Sequence, residues 1–351
     1  SALGLTAPTS AGLTAIRALP GISSTNLGIF TQYVPVAPTN NAGTIDFCAV
    51  VPTGGICPNN NFVRVPVGSV NFSAPNFTVN KNFIINIDYT QSERTQHRAR
   101  FNYNDFTAID TGAFIPAFFV QTPIKNRLFS YTLLHTFSSS LTNETRIAYR
   151  RSVQSFPVPQ GLSFPGLDTF PNIGLADLGF DIGPNGNFPQ FGIENNYQIV
   201  NNTSYSAGNH SMKFGADFRW LISPQSFVQR ERGDYQYSAT DFFLRDLSPD
   251  FLGERTVGAS PYYGNQKLFF PYIQDDWRIR PNLTLNLGLN YSYQEVPRGA
   301  NLQALNAIAS VPGLLEFKEP KEQKGNFAPK LGLAWSPNYG DGMLGRVFGS
   351  N

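Results

Sequence analysis

The chain has 351 residues, with 26 Lys and Arg against 24 Asp and Glu, a net charge of +2 that lacks the clustered basic excess of a nucleic-acid-binding protein. Charged residues make up 14% and aromatics another 14%, including 30 Phe and 15 Tyr, while 31 Gly and 26 Pro supply turns. Such a mixture favours strands over helices. No run approaches the roughly 18 consecutive apolar residues of a transmembrane helix, which excludes a helical membrane protein and leaves a β-barrel open.

Residues 1–61 read as a loop-rich segment, placed outside the cell in the barrel reading. A short helix is expected near Ser10 to Leu19, stopped by Pro20-Gly21. Cys48 and Cys57 sit in a Gly- and Pro-rich stretch, FCAVVPTGGIC. A local disulfide between them suits an oxidising compartment, with free buried thiols as the alternative. The N-terminus shows no Met and no basic leader, and the chain stops just after a strand start. Both ends therefore read as cuts in a longer protein.

From residue 62 to 351 the texture is that of a partial barrel. Short connections at Gln91-Ser92-Glu93-Arg94, Ser138-Ser139-Ser140, Ala207-Gly208-Asn209-His210 and Arg280-Pro281-Asn282 alternate with long ones near 105–125, 156–194 and 296–325. Short turns on one side and long loops on the other mark outer-membrane barrels, with periplasmic turns and extracellular loops. The strands carry a period of two. Phe83, Ile85, Ile87 and Tyr89 oppose Asn82, Asn86, Asp88 and Thr90. Met212, Phe214, Ala216, Phe218 and Trp220 oppose Lys213, Gly215, Asp217 and Arg219. Leu283, Leu285, Leu287, Leu289 and Tyr291 oppose Thr284, Asn286, Gly288 and Asn290. By this rule roughly a dozen strands are expected, and Phe214, Phe218, Trp220, Leu285, Leu287 and Leu289 are the expected lipid-facing residues. Residues 268–278 fit no single register, so a bulge is expected near Asp275-Asp276. Between 222 and 264 a strand over Asp234 to Ser238 and a helical turn over Asp241 to Asp246 are expected.

The hairpin YIQDDWR followed by PNLTLNLGLNY (Tyr272 to Arg278, Pro281 to Tyr291) resembles one common in TonB-dependent receptor barrels. HSMKFGADFR (His210 to Arg219), NFAPKLGLAWSP (Asn326 to Pro337) and the stretch Ala18-Leu19-Pro20-Gly21 with Tyr33-Val34-Pro35 support a likeness to the Oar-like members. The resemblance covers most of the chain from residue 62. It implies a barrel of about 22 strands around a plug, embedded in lipid of the bacterial outer membrane. It also implies energised passage of a small-molecule, glycan or peptide ligand, and coupling to the TonB complex through an N-terminal plug region that this sequence lacks.

Catalytic chemistry finds little support. Gly161-Leu162-Ser163-Phe164-Pro165-Gly166 has its second glycine one place too late for a nucleophile elbow. Asp275 and Asp276, as strand neighbours, face opposite ways. The histidines His97, His135 and His210 are scattered, so no metal and no cofactor are expected. The more informative set is basic: Arg98 with Arg100, and Arg146 with Arg150, each on one strand face and lumenal if the other face meets lipid. With Lys213, Asp217 and Arg219 they are candidates for guiding an anionic ligand; the competing assignment is salt-bridging to Glu144 and Asp217. Aromatics of the long connections (Phe164, Phe170, Phe180, Phe188, Tyr262, Tyr263) are candidates for stacking on a ligand or for packing the loops together. The rival to the barrel as a whole is a soluble secreted β-sandwich or lectin-like binding module, which reproduces any one alternating strand.

Overall fold

The structure, a computed structural model, describes residues 2–110, 112–256, 261–297, 311–314 and 320–336. In chain order the strands are β1 (Ala2–Pro8), β2 (Thr44–Cys48), β3 (Phe62–Ser73), β4 (Thr78–Ser92), β5 (Thr95–Ile109), β6 (Gln121–Ser138), β7 (Leu141–Phe156), β8 (Asn172–Leu175) and β9 (Phe180–Ile182). They continue as β10 (Gln190–Ala207), β11 (His210–Ile222), β12 (Pro224–Phe227), β13 (Asp234–Tyr237), β14 (Leu252–Glu254), β15 (Pro261–Tyr263), β16 (Gln266–Arg280), β17 (Leu283–Tyr291), β18 (Tyr293–Gln294) and β19 (Phe327–Trp335). Three α-helices interrupt them among the described residues: α1 (Ser10–Ala18), α2 (Ser24–Tyr33) and α3 (Thr240–Leu244).

One antiparallel sheet dominates. Its path runs β19-β17-β16-β11-β10-β7-β6-β5-β4, nine strands among the described residues, and β12, β15 and β18 bring it to 12. Four tight turns, at 93–94, 139–140, 208–209 and 281–282, lie at one end of these strands. At the other end the chain leaves the sheet on long excursions, and those excursions are folded. A 3-stranded sheet β1-β3-β2 and a 4-stranded sheet β14-β13-β8-β9 stand there with all three helices. We refer to this second body as the crown. The sheet is not closed: β4 and β19 are its two free edges among the described residues.

The crown revises the reading of residues 1–61 as loop. Thr9 caps α1 by accepting the Gly12 amide at 3.1 Å, and Leu13 and Ile16 turn inward. Ser23 caps α2 in the same way from the Asn26 amide, and Asn26, Ile29 and Phe30 are buried. Strand β3 pairs with β1 and β2 rather than with the large sheet, so the barrel wall begins at Thr78 and not at residue 62. At Gly68 on β3 a Cβ would lie 1.7 Å from the Thr39 carbonyl oxygen, so only glycine lets the 37–43 segment cross.

Buried apolar side chains are confined to the crown. Leu5, Ile16, Phe30, Phe47, Val65, Phe118, Phe170, Ile173, Phe180, Ile182, Phe243 and Leu244 form one cluster, drawn from four separate segments. Each such side chain contributes about 1.5–3 kcal/mol relative to exposure. Tyr33, Phe118, Phe170 and Phe164 stack against one another with ring centroids 4.7 to 5.7 Å apart. Phe164, Phe170, Phe180 and Phe188 therefore pack the crown. The described strands of the large sheet bury no hydrophobic side chain at all.

Candidate ligand path on the polar face of the sheet

The register sorts every predicted lumenal and lipid-facing residue onto a face. Asp88, Arg98, Thr132, Arg146, Val200, Asp217 and Phe270 form one cross-strand row. Asn86, Arg100, Ser130, Ala148, Gln198, Arg219 and Leu268 form the next. Arg150 stands beside Leu128 and Asn196, and Lys213 beside Ser204 and Gln274, on the same side. Arg98 and Arg146 flank Thr132 two strands apart, about 9–10 Å at the backbone. The opposite face carries Phe214, Phe218, Trp220, Leu285, Leu287 and Leu289, together with Ile85, Phe129, Ile147, Ile199 and Ile273. Of these, Ile147, Ile199 and Ile273 are each about half exposed.

The basic residues are held, mostly by carboxylates. Arg146 meets Glu144 at 2.7 Å and Arg219 meets Asp217 at 2.7 Å, the two pairings that competed with ligand guidance in the sequence. Arg150 lies 3.8 Å from Glu194, and Arg98 lies 3.9 Å from Asp88 with both side chains more than half exposed. Arg100 donates to the Asn86 amide oxygen at 2.7 Å. Exposed ion pairs of this sort contribute little stability, of order 0–1 kcal/mol. They keep the guanidinium groups extended over the face instead. Asn86, Asp88, Arg98, Arg100, Thr132 and Arg146 line a hollow of about 760 Å³, within the range of small-molecule sites.

The bulge expected at Asp275-Asp276 is absent. β16 runs in unbroken register against β11, and its one irregularity with β17 falls at Arg278/Arg280 beside the turn. Regular alternation puts Phe270 and Tyr272 on the polar face. Both fit there for local reasons. Tyr272 covers Gly215, where a Cβ would lie 3.0 Å from its ring, and its hydroxyl donates to Asn202 at 2.8 Å. The Arg219 guanidinium lies 5.7 Å from the Phe270 ring centroid. Asp275 and Asp276 do face opposite ways; Asp275 takes the His210 ring at 2.6 Å. His97 contacts Tyr131 and His135 contacts Thr95; the two are diagonal neighbours across β5 and β6, while His210 stands apart on β11.

Two buried arginines, which the sequence does not distinguish from surface charges, organise the mouth above this face. Arg232 donates to the carbonyl oxygens of Phe170, Pro184, Asn185 and Phe188 at 2.5 to 2.9 Å, binding the 157–189 excursion to the 223–265 one. Burial pushes its pKa down to about 10. Arg245 donates to Asp241 at 2.6 Å, to the Cys48 carbonyl at 2.5 Å and to the Pro20 carbonyl, while Asp241 accepts the Cys48 amide at 3.1 Å. A disulfide joins Cys48 to Cys57. The clasp therefore ties α3 to both early crown segments.

A large antiparallel sheet with one apolar unburied face, one polar face, tight turns below and a folded crown above defines an outer-membrane β-barrel protein. The sequence profile described as outer membrane beta barrel domain matches residues 18–346, and the chain belongs to that family. The protein accordingly resides in the bacterial outer membrane. Among solved structures it is similar to the outer-membrane transporter YddB from Escherichia coli, at 14% identity and a TM-score of 0.41, over 68% of this chain and 29% of that one. It is also similar to the copper transporter OprC, at 12% identity and a TM-score of 0.35, over 63% of this chain and 29% of that one. The chain thus spans under a third of the length of either transporter. No curated protein sequence matches it.

Proposed function

We propose that the chain forms part of the wall and outer vestibule of a TonB-dependent receptor of the Oar-like kind, which binds a ligand and passes it inward with energy from the inner membrane. It performs no catalysis. In this reading the apolar face meets lipid, the polar face lines the lumen, and the crown is the ligand's first contact. The observation that carries it is the division of burial. A soluble sandwich would bury one face of its large sheet, whereas here the apolar core lies wholly in the crown and the wall's apolar face is open. Arg98, Arg100 and Arg146 would attract an anionic group within the hollow.

The test is membrane fractionation of the parent protein with heat-modifiable gel migration, followed by ligand uptake in cells with and without TonB. We expect a detergent-requiring species that shifts on boiling, and uptake that requires TonB. The variant Arg98→Gln/Arg100→Gln should bind an anionic ligand several-fold less well and with a shallower salt dependence. A soluble monomer with no heat shift would return the protein to the sandwich class. Uptake indifferent to TonB would remove the energised role.

A further inference from the structure

Apart from Asp275, which pairs with His210 near the tight turns, the charged residues on the apolar face of the described strands stand towards the crown. Tyr205 in β10 and Trp277 in β16 stand near the tight turns. Eight residues above Tyr205 comes Tyr197, beside Tyr149 and Trp220 with ring centroids 4.9 and 5.6 Å apart. Eight residues are about 26 Å along a strand and about 20 Å along the membrane normal at a tilt of 35–45°. The two aromatic levels thus bracket the apolar band.

One step beyond the upper aromatics, on the same face, Arg127 of β6 lies directly opposite Arg151 of β7, and Arg151 opposite Asn195 of β10. Lys125 follows two residues further up β6 and is exposed. Like charges directly opposite on neighbouring strands repel. Asp105 is the carboxylate beside them, 2.7 Å from Arg127, whose guanidinium also lies 3.6 Å from the Tyr103 ring centroid. Arg151 donates to the Asn195 amide oxygen at 2.8 Å, and the same oxygen accepts the Tyr149 hydroxyl at 2.9 Å. Lys125, Arg127 and Arg151 against Asp105 leave a local excess of two positive charges. Both guanidinium groups are pinned, and they stand just above an aromatic belt.

We infer that Lys125, Arg127 and Arg151 form a site for the phosphate groups of an anionic glycolipid in the outer leaflet. Charge and depth both fit. A phosphate bridging the two arginines relieves their repulsion through the planar fork that guanidinium offers. Arg127 lies twelve residues from the Ser139-Ser140 turn, about 40 Å of strand and about 30 Å of height at that tilt, which is above an apolar band of about 25 Å. Tyr149, Tyr197 and Trp220 below would take the first carbons of the acyl chains. The inference rests on the apolar face meeting lipid, as proposed above, and it is independent of TonB and of any transported ligand.

The test is native mass spectrometry of the parent protein, extracted from outer membranes in mild detergent, with bis-phosphorylated lipid A as the probe. Wild type should retain lipid A through delipidation. The triple variant Lys125→Gln/Arg127→Gln/Arg151→Gln should retain about tenfold less while keeping its heat shift, and Arg98→Gln/Arg100→Gln on the other face should match wild type. Dephosphorylated lipid A should bind weakly to all. If the triple variant fails to fold, Arg151→Gln alone should still lower retention. Equal retention by wild type and variants, or equal binding of dephosphorylated lipid, would overturn the site. Displacement of lipid A by millimolar inorganic phosphate would show a free-phosphate site and overturn the lipid assignment. Loss of the heat shift in wild type would instead overturn the membrane reading beneath it.

Discussion

Replacing Arg245 with Met should loosen the crown and leave the wall intact. The Arg245 side chain is fully buried and that of Asp241 is 2% exposed, so removal of the guanidinium strands a carboxylate in the interior. It also removes the donors to the Cys48 and Pro20 carbonyls. Breaking a buried, hydrogen-bonded ion pair from one side costs about 3–5 kcal/mol. At about 1.4 kcal/mol per factor of ten, opening of the crown should become roughly 100- to 5,000-fold more frequent. Hydrogen exchange read by mass spectrometry resolves this by segment. Peptides covering 20–30, 44–57 and 240–250 should lose that much protection, and peptides within β6, β7, β10 and β11 should not change. The double variant Asp241→Leu/Arg245→Met should recover part of the loss, since it removes the stranded charge as well. Equal loosening of wall and crown would refute the division into two independently held bodies. An unchanged crown would refute the clasp.

Other consequences can be checked on the same protein. Reduction of the Cys48–Cys57 disulfide, or Cys48→Ser/Cys57→Ser, reopens a short loop with a sequence separation of 9 and should weaken crown protection by about 2–3 kcal/mol, with the heat shift retained. Phe214→Arg, on the apolar face near mid-band, should destabilise the folded barrel by about 2–4 kcal/mol in a urea titration followed by heat-shift gels. Asn290→Arg, on the polar face, should cost little, and equal costs would contradict the assignment of faces. Burial raises the carboxyl pKa of Asp177, and likewise that of Asp181, where nearby Asp234 adds to the effect. A raised acid favours folding below its unfolded pKa of 3.8, and that contribution is lost as pH rises through the folded value. The crown should therefore gain protection, after correction for intrinsic exchange rates, as pH falls from 7 towards about 4. Asp177→Asn should flatten that profile, and a crown that weakens steadily over the interval would contradict the burial argument.

The sequence exposes the wall because its information is local. Tight turns and a period of two are written in neighbouring residues, so Met212 to Trp220 and Leu283 to Tyr291 fall on the observed faces. Helix α1 is also local, with Thr9 before it and Pro20 after. Helix α2 carries a signal that was there to read: Ser23 as a cap, then Asn26, Ile29, Phe30 and Tyr33 along one helical face. The crown's remaining structure is not local. The parallel pairing of β8 with β13 joins residues about sixty positions apart, and Arg232 and Arg245 are recognisable only once their carbonyl partners converge. β16 misled for a different reason. Apolar Phe270 and Tyr272 occupy polar-face positions because Gly215, Asn202 and Arg219 on neighbouring strands accommodate them, and strand periodicity cannot register a neighbour's missing side chain.

Two solvents explain how one chain carries two bodies. In the wall, the hydrogen bonds of the ladder satisfy the backbone, and apolar side chains remain uncovered because hydrocarbon serves where a core would otherwise be needed. The crown stands in water and has no such support. Its excursions are too long to persist as bare loops, so it gathers phenylalanines from four of them into one core and closes that core with buried arginines. The strand pairs β10–β12 and β12–β15 carry the ladder upward from the wall into the crown. Under the proposed function, a ligand arriving from outside would meet a surface of fixed shape before it reached Arg98, Arg100 and Arg146. Selection by shape would precede selection by charge. A loosened crown, as in Arg245→Met, should accordingly broaden the range of ligands bound while leaving the salt dependence set by the arginines unchanged, and unaltered selectivity would place recognition in the wall alone.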